Sequence, residues 1–365
     1  MINTNTLANR KFANRTKRTM HEFYRPCGPG AGLNSGLQPF VPLLSNPHLL
    51  TILAHFWPPG LDERRFPVER NLYRTEPGVE VLVETQRPTG GSKGEIVLVH
   101  GLEGSSGGRY MRSMARAALD AGFSVHRLNL RTCGGTEAYS ETPYHSGLTA
   151  DLLAVLLRLT AENRGPRYVA GFSLGGNIAL KLAGELAGNA RELIAGVCAI
   201  SAPIDLAAST RYLEQPENRV YEMRFVKRLK QRVRELSRLR PERFAIDGLD
   251  SIQGIRAFDD RFTARWFGFR DAEHYYETQS AIRLLDSVRV PVLLVQAKDD
   301  PFIPFEIFER PEVRQNSCIE LVATEHGGHI GFLARTQPRF WADEAVMEWI
   351  GERLRSGSPS SGSSE

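Results

Sequence analysis

The chain has 365 residues, of which 41% are hydrophobic and 24% charged, and its formal net charge is +4. This length and apolar share fit one large folded domain with an insertion and exclude a disordered or fibrous chain. The charge is too mild to argue for nucleic-acid binding, and no apolar run reaches the roughly eighteen residues of a membrane-spanning helix.

Residues 1–36 carry Arg10, Lys11, Arg15, Lys17 and Arg18 with no acid before Glu22, and they lack the apolar centre of a signal peptide. They are expected to form a basic, disordered tail. Val79–Glu84 alternates and predicts an early antiparallel strand. Ile96–Val99 reads as a buried strand, followed by a helix over Tyr110–Leu119 and a strand over Ser124–Leu128. Leu148–Leu159 is an apolar helix that begins near Asp151. Strand Tyr168–Ala170, helix Asn177–Ala183 and strand Ile194–Ile200 follow. After Pro203 the pattern breaks into a charged, aromatic, helical stretch, and strand signals resume at Val290–Ala297 and Ile319–Val322. The expected architecture is α/β, a mostly parallel sheet flanked by helices. Its core comprises residues 37–204 and 287–355, with a helical cap insertion at 205–286 and a disordered, low-complexity tail at 356–365.

Gly171-Phe172-Ser173-Leu174-Gly175 lies between a strand and a helix, the setting of a nucleophile elbow. The flanking glycines let strand and helix approach closely, and the tight turn holds the Ser173 hydroxyl at the top of the sheet beside a helix N-terminus. The partners are expected downstream, acid first and histidine second. In Lys298-Asp299-Asp300-Pro301-Phe302-Ile303-Pro304, Asp300 is the candidate acid and Asp299 its rival. In Glu325-His326-Gly327-Gly328-His329-Ile330-Gly331-Phe332, His329 is the candidate base and His326 the alternative. A serine hydroxyl is a weak nucleophile until a base takes its proton. His329 would do that and later protonate the leaving alcohol, while Asp300 would hold the imidazole in the right tautomer. The oxyanion hole is expected from the N–H of Leu174 and the N–H of Leu102, in the loop His100-Gly101-Leu102-Glu103-Gly104.

Longer motifs run from about residue 40 to about residue 350: Asn46-Pro47-His48-Leu49, HGLEGSSGGRYM (100–111), YHSG (144–147), GFSLGGN (171–177), FDDRFTAR (258–265), YY (275–276), AKDDPF (297–302) and EHGGHIGF (325–332). On these residues the chain resembles the YheT-like subgroup of the α/β-hydrolases, related to the eukaryotic α/β-hydrolase-domain lipid esterases. It departs from that pattern at Leu50, where Gln is expected. The resemblance implies an α/β-hydrolase fold and a serine esterase or lipase-like activity.

His100, Glu103, Arg131, His145 and Trp266 are candidate substrate contacts, because they fall on loops at strand ends or in the insertion. His145 and Asp151 do not match the H-x-x-x-x-D of some lipid acyltransferases, since five residues intervene. Phe258, Phe262, Trp266, Phe267 and Phe269 form an aromatic cluster that fits either an acyl pocket or the core of the cap. Arg224 to Arg240 holds eight basic residues and one acid, with Val226, Leu229, Val233 and Leu236 on one helical face. This helix and the basic N-terminus are candidates for peripheral contact with a membrane surface. The four cysteines, Cys27, Cys133, Cys198 and Cys318, show no C-x-x-C pair, which speaks against a metal site or disulfide scaffold and for a reducing, cytoplasmic compartment. No metal or organic cofactor is implied. The expected partner is a small-molecule or lipid ester. Two function classes follow: a serine hydrolase of carboxylic esters, with acyl transfer to an alcohol as its nearest variant, and a non-catalytic ligand-binding protein on the same fold.

Overall fold

The computed structural model describes residues 37–357. The assignments made for the two tails lie outside the described residues, except that the final helix continues to Gly357. Eight strands form one sheet: β1 (Glu69–Glu76), β2 (Val79–Gln86), β3 (Glu95–Val99), β4 (Ser124–Leu128), β5 (Arg167–Phe172), β6 (Gly196–Ile200), β7 (Val292–Ala297) and β8 (Ile319–Thr324). Their order is β1-β2-β4-β3-β5-β6-β7-β8. β2 pairs antiparallel with both β1 and β4, and every other neighbouring pair is parallel. The fold is therefore α/β with a mostly parallel sheet.

β3, β5, β6 and β7 are buried along their whole length. Helices cover both faces of a parallel sheet, so such strands read as unbroken apolar runs. β1 has no such signature. Its sequence, ERNLYRTE, is polar and half exposed, and pairing with β2 across the Pro77-Gly78 turn defines it. Two strands start later than their apolar runs. The N–H of Ile194 is taken by the Ala190 carbonyl in a turn, at 2.8 Å, and Pro291 has no N–H to offer a ladder.

Besides a single turn at Pro311–Arg314, the helices are α1 (Pro47–Phe56), α2 (Arg109–Asp120), α3 (Ala150–Glu162), α4 (Leu174–Leu186), α5 (Leu206–Leu213), α6 (Arg219–Leu239), α7, α8 (Ala272–Gln279) and α9 (Trp341–Gly357). α7 is the continuous run of Ile255–Phe258, a π turn at Asp259–Thr263, and Ala264–Phe267. Met111, Met114, Val346 and Trp349 bring α2 and α9 onto one face of the sheet, and Leu152, Leu156, Ile178 and Leu182 bring α3 and α4 onto the other. α5 to α8 all fall between β6 and β7, and Val226, Leu229 and Val233 of α6 join the core on the α3–α4 side. α1 was not anticipated from the sequence. Asn46 caps it by accepting the Leu49 N–H, and Pro47 opens its first turn. Leu50, the departure from the expected Gln, is fully buried with Ala54 and Leu333. The loops after β3, β5, β7 and β8 leave the carboxyl ends of parallel strands, where open α/β sheets place their sites.

α9 meets α2 through a buried pair in which the Ser113 hydroxyl donates to the Asp343 carboxyl group. Burial pushes Asp343 up to about 7, against the opposing effect of the Ser113 bond. The folded state thus keeps a proton that the unfolded chain releases from about pH 4 upward. The stability linked to this group is full below that value and is lost as pH rises through about 7. Between pH 5 and 8 the change is on the order of 2–3 kcal/mol. Asp343→Asn carries no charge and keeps an acceptor for Ser113. Its melting temperature should lie close to wild type at pH 5 and above wild type at pH 8; a shift of equal size at both values would contradict this account.

Candidate active site

Ser173 joins β5 to α4 with φ 51° and ψ −123°, a region that costs a non-glycine residue about 1–3 kcal/mol. Tight packing holds it there. A Cβ on Gly171 would run into the Gly175 carbonyl, and one on Gly175 into the carbonyls of Val99 and His100. A Cβ on Gly176 would sit 2.7 Å from the Ala202 Cβ. The glycines therefore let β5, α4 and the end of β3 meet with the serine between them.

Three predicted residues converge. The Ser173 hydroxyl lies 3.0 Å from His329 Nε2. His329 Nδ1 lies 2.9 Å from Asp300 Oδ2 and 3.1 Å from Oδ1. A carboxylate accepts from Nδ1–H, which leaves Nε2 as the acceptor for the serine proton. Asp300 is buried, and its Oδ1 also accepts the N–H of Phe302 at 2.8 Å. The two pairs left open by the sequence separate here: Asp299 faces His326 Nδ1 at 3.0 Å and accepts the Gly328 N–H, away from Ser173.

The Leu102 N–H has no backbone acceptor, and Leu174, as the first residue of α4, has none within its helix. The loop carrying Leu102 is pinned on both sides. His100 Nε2 accepts the Leu130 N–H at 3.1 Å, so its Nδ1–H donates to the Gly101 carbonyl at 2.8 Å. Burial lowers His100 to about 4, and it is neutral at pH 7. The Tyr110 hydroxyl accepts the Gly101 N–H. Glu103, at φ 54°, is gripped by Tyr144 and by Arg232 of α6, whose Nε donates to Oε1 at 2.7 Å.

The histidine loop is anchored by a residue that the sequence analysis passed over. Thr51 of α1 accepts the His329 N–H on its Oγ1 at 2.9 Å and donates to the Pro47 carbonyl at 2.7 Å. A Cβ on Gly328, at φ 58°, would lie 2.6 Å from that same oxygen. Ring contacts then run outward from the imidazole: His329 to Phe302 at 4.3 Å, Phe302 to Tyr221 of α6 at 4.7 Å, and Tyr221 to His48 of α1 at 5.7 Å.

Ser173 and His329 open into a cleft enclosing about 990 Å³, open solvent at its mouth included. Its walls are mainly apolar side chains of the β6–β7 insertion, among them Leu213, Phe225, Leu229, Val233 and Phe258, together with Leu102, Leu174 and Phe302. The weaker candidates divide. Glu103, His145 and Trp266 line the cleft, whereas His100 and Arg131 do not. Arg131 is instead a buried structural tie, with Nε and Nη2 on Asp151 at 2.8 and 2.6 Å and Nη1 on Glu76 at 3.0 Å. His145 packs edge-on against Phe267, Phe269 and Tyr275. Burial lowers it to about 3, so it is a neutral wall residue. In the aromatic cluster, Phe258 and Trp266 face the cleft, and Phe262 packs behind them.

The remaining motifs lock the insertion onto this site. Asn177 of α4 donates to the carbonyls of Ser146 and Gln279 and accepts the Ala281 N–H. The Ser146 N–H donates to the Tyr275 hydroxyl, and the Tyr276 hydroxyl donates to Asp259 in the π turn of α7. Burial pushes the Cys133 thiol up to about 12, so it is inert packing rather than a second nucleophile. Cys318 is disulfide-bonded, which the scattered spacing did not suggest. Among the described residues no cluster of His, Cys, Asp or Glu could hold a metal ion, and no helix is long and apolar enough to cross a membrane.

The α/β hydrolase family model matches residues 96–344. The chain is 33% identical to the Escherichia coli (strain K12) protein named "Putative esterase YheT", over 85% of this chain and 92% of that protein. It is 32% identical to the phospholipase ABHD3 of Mus musculus, over 67% of this chain and 59% of that one. Among solved structures, the Pyrococcus furiosus esterase Pf2001 superposes with a TM-score of 0.52 at 17% identity, over 87% of this chain and 98% of that one, a likeness of fold alone. The chain belongs to the α/β hydrolase family.

Proposed function

We propose that this chain hydrolyses carboxylic esters through an acyl-enzyme on Ser173. One observation carries the proposal: serine, histidine and aspartate stand in hydrogen-bonding line, at 3.0 and 2.9 Å, beside an unpartnered Leu102 N–H. Relatives named as esterases and phospholipases support the reaction class. Ser173 Oγ attacks the ester carbonyl as its proton passes to His329 Nε2. The oxyanion that forms accepts from the Leu102 and Leu174 N–H groups, at the positive end of α4. Collapse breaks the bond to the alkoxide, which takes the proton from His329. A water then gives a proton to the same Nε2 as it attacks the acyl carbon; collapse breaks the bond to Ser173 Oγ, which takes that proton back as the acid leaves. Asp300 accepts Nδ1–H throughout and stabilises the imidazolium without itself taking the proton.

The insertion at 205–286 acts as a cap in this reading. α6 and α7 supply the apolar wall, which suits an acyl chain or lipid ester better than a polar substrate. The Arg232–Glu103 bridge joins the cap to the loop that bears Leu102, so the shape of the cleft and the oxyanion hole are set together.

On a p-nitrophenyl ester series from acetate to palmitate, Ser173→Ala should lose activity on every ester. Asp300→Asn should lower kcat on the order of 10³–10⁴-fold with little change in stability. Wild type and Ser173→Ala turning over at the same rate would refute the nucleophile assignment. Thr51→Val strips the His329 N–H of its acceptor, at a cost of about 1–3 kcal/mol. It should reduce kcat more than it changes KM, and Thr51→Ser should restore both; a valine variant with wild-type kcat would remove Thr51 from the site.

A further inference from the structure

α1 buries one face and leaves another uncovered. Leu50 and Ala54 pack inward, and His48 and His55 face α6, where they meet Tyr221 and Arg224 at 3.1 Å each. The third face presents Leu49, Ile52 and Phe56, at 50%, 43% and 62% exposure. These positions are three and four residues apart and form one stripe. Beside it, the first turns of α6 expose Val220 and Met223, at 76% and 59%. Five large apolar side chains are thus exposed on two helices that meet through His48 and His55, more than soluble surfaces commonly leave uncovered in one region.

The charge around the patch identifies what fits it. Arg109, Arg224 and Arg228 surround His55 closely enough to lower its proton affinity, second only to the effect of burial. Among the described residues Arg224 meets His55, and the carboxylates nearby pair with other arginines, Glu63 with Arg112 and Asp250 with Arg234. Residues 1–36, which lead into this end of the chain, are themselves basic by sequence. A second copy of the chain would bring like charge against like charge. An anionic lipid surface supplies both the apolar interior and the opposite charge.

We infer that α1 and the start of α6 form an interfacial docking face, which seats Leu49, Ile52 and Phe56 in the surface of an anionic bilayer or lipid aggregate. The ring series from His48 through Tyr221 and Phe302 to His329 connects α1 and α6 with the cleft that His329 lines. The inference does not depend on ester hydrolysis, because binding can be read without turnover.

The test is sedimentation of the full-length protein with vesicles of phosphatidylcholine alone and of phosphatidylcholine mixed with phosphatidylglycerol, at low and high salt. The double variants Ile52→Gln/Phe56→Gln and Arg224→Gln/Arg228→Gln are run alongside, with melting temperature and turnover of a short soluble ester as checks on folding. Wild type should pellet with the anionic vesicles at low salt and less at high salt. Each double variant should lose binding on the order of tenfold or more while melting as wild type does. Wild type that stays in the supernatant with both vesicles overturns the inference. So does undiminished binding by the apolar variant, which would assign attachment to charge alone. A concentration-dependent dimer that the apolar variant abolishes would assign the face to a second copy and overturn it equally.

Discussion

The strained backbone of Ser173 is the constraint on which the site depends. A residue at φ 51° and ψ −123° relaxes unless its surroundings forbid it. Here the carbonyls at the end of β3, the first turn of α4 and Ala202 after β6 press against three positions that tolerate no side chain. The same contacts that hold the strain place Ser173 Oγ above the sheet and leave the first amide of α4 beside it. The elbow and the Leu174 N–H, the proposed oxyanion donor, are one piece of geometry, and neither exists without the other.

The other half of the site is assembled over long sequence distances. His329 stands on a loop with left-handed Gly328 and Ile330, whose N–H groups donate to Asp299 and to the Ser201 hydroxyl. α1 adds a further anchor through Thr51, which accepts the His329 N–H, and Tyr221 of the insertion packs on Phe302, whose ring lies against the imidazole. α6 also reaches the opposite wall, where Arg232 grips Glu103 next to Leu102. The insertion therefore reaches the Leu102 loop directly and His329 through Phe302, so a change in its packing bears on the proposed base and the proposed oxyanion donor together.

The strands before Ser173 and Asp300 were legible in the sequence because helices bury both their faces, so each ends in a short motif right after an apolar run. The strand before His329 is a partly buried edge strand, and its shorter apolar pattern, IELV, still marked it. β1 was not legible, because its polar edge residues carry no apolar period and only its partner strand makes it a strand. Thr51 was missed for a different reason: its bond to His329 spans 278 residues, and no local pattern marks a threonine as an acceptor for a distant amide. Arg131 and His100 show the converse error. Both sit at strand ends, where substrate contacts are expected, yet burial turns them inward, Arg131 onto Asp151 and His100 onto the backbone of its own loop. The motifs YHSG, FDDRFTAR and YY were visible as patterns without a role; their residues fasten the insertion to α4 and to the elbow.

The central claim is that Ser173 is a nucleophile activated by His329, and covalent labelling tests it without knowledge of the natural substrate. The protein would be treated with a fluorophosphonate, digested and read by mass spectrometry, with His329→Ala in parallel. The account predicts one phosphonyl adduct, on the peptide containing Ser173, formed far more slowly in the variant. An adduct on another residue, or equal labelling rates in the two proteins, would contradict it.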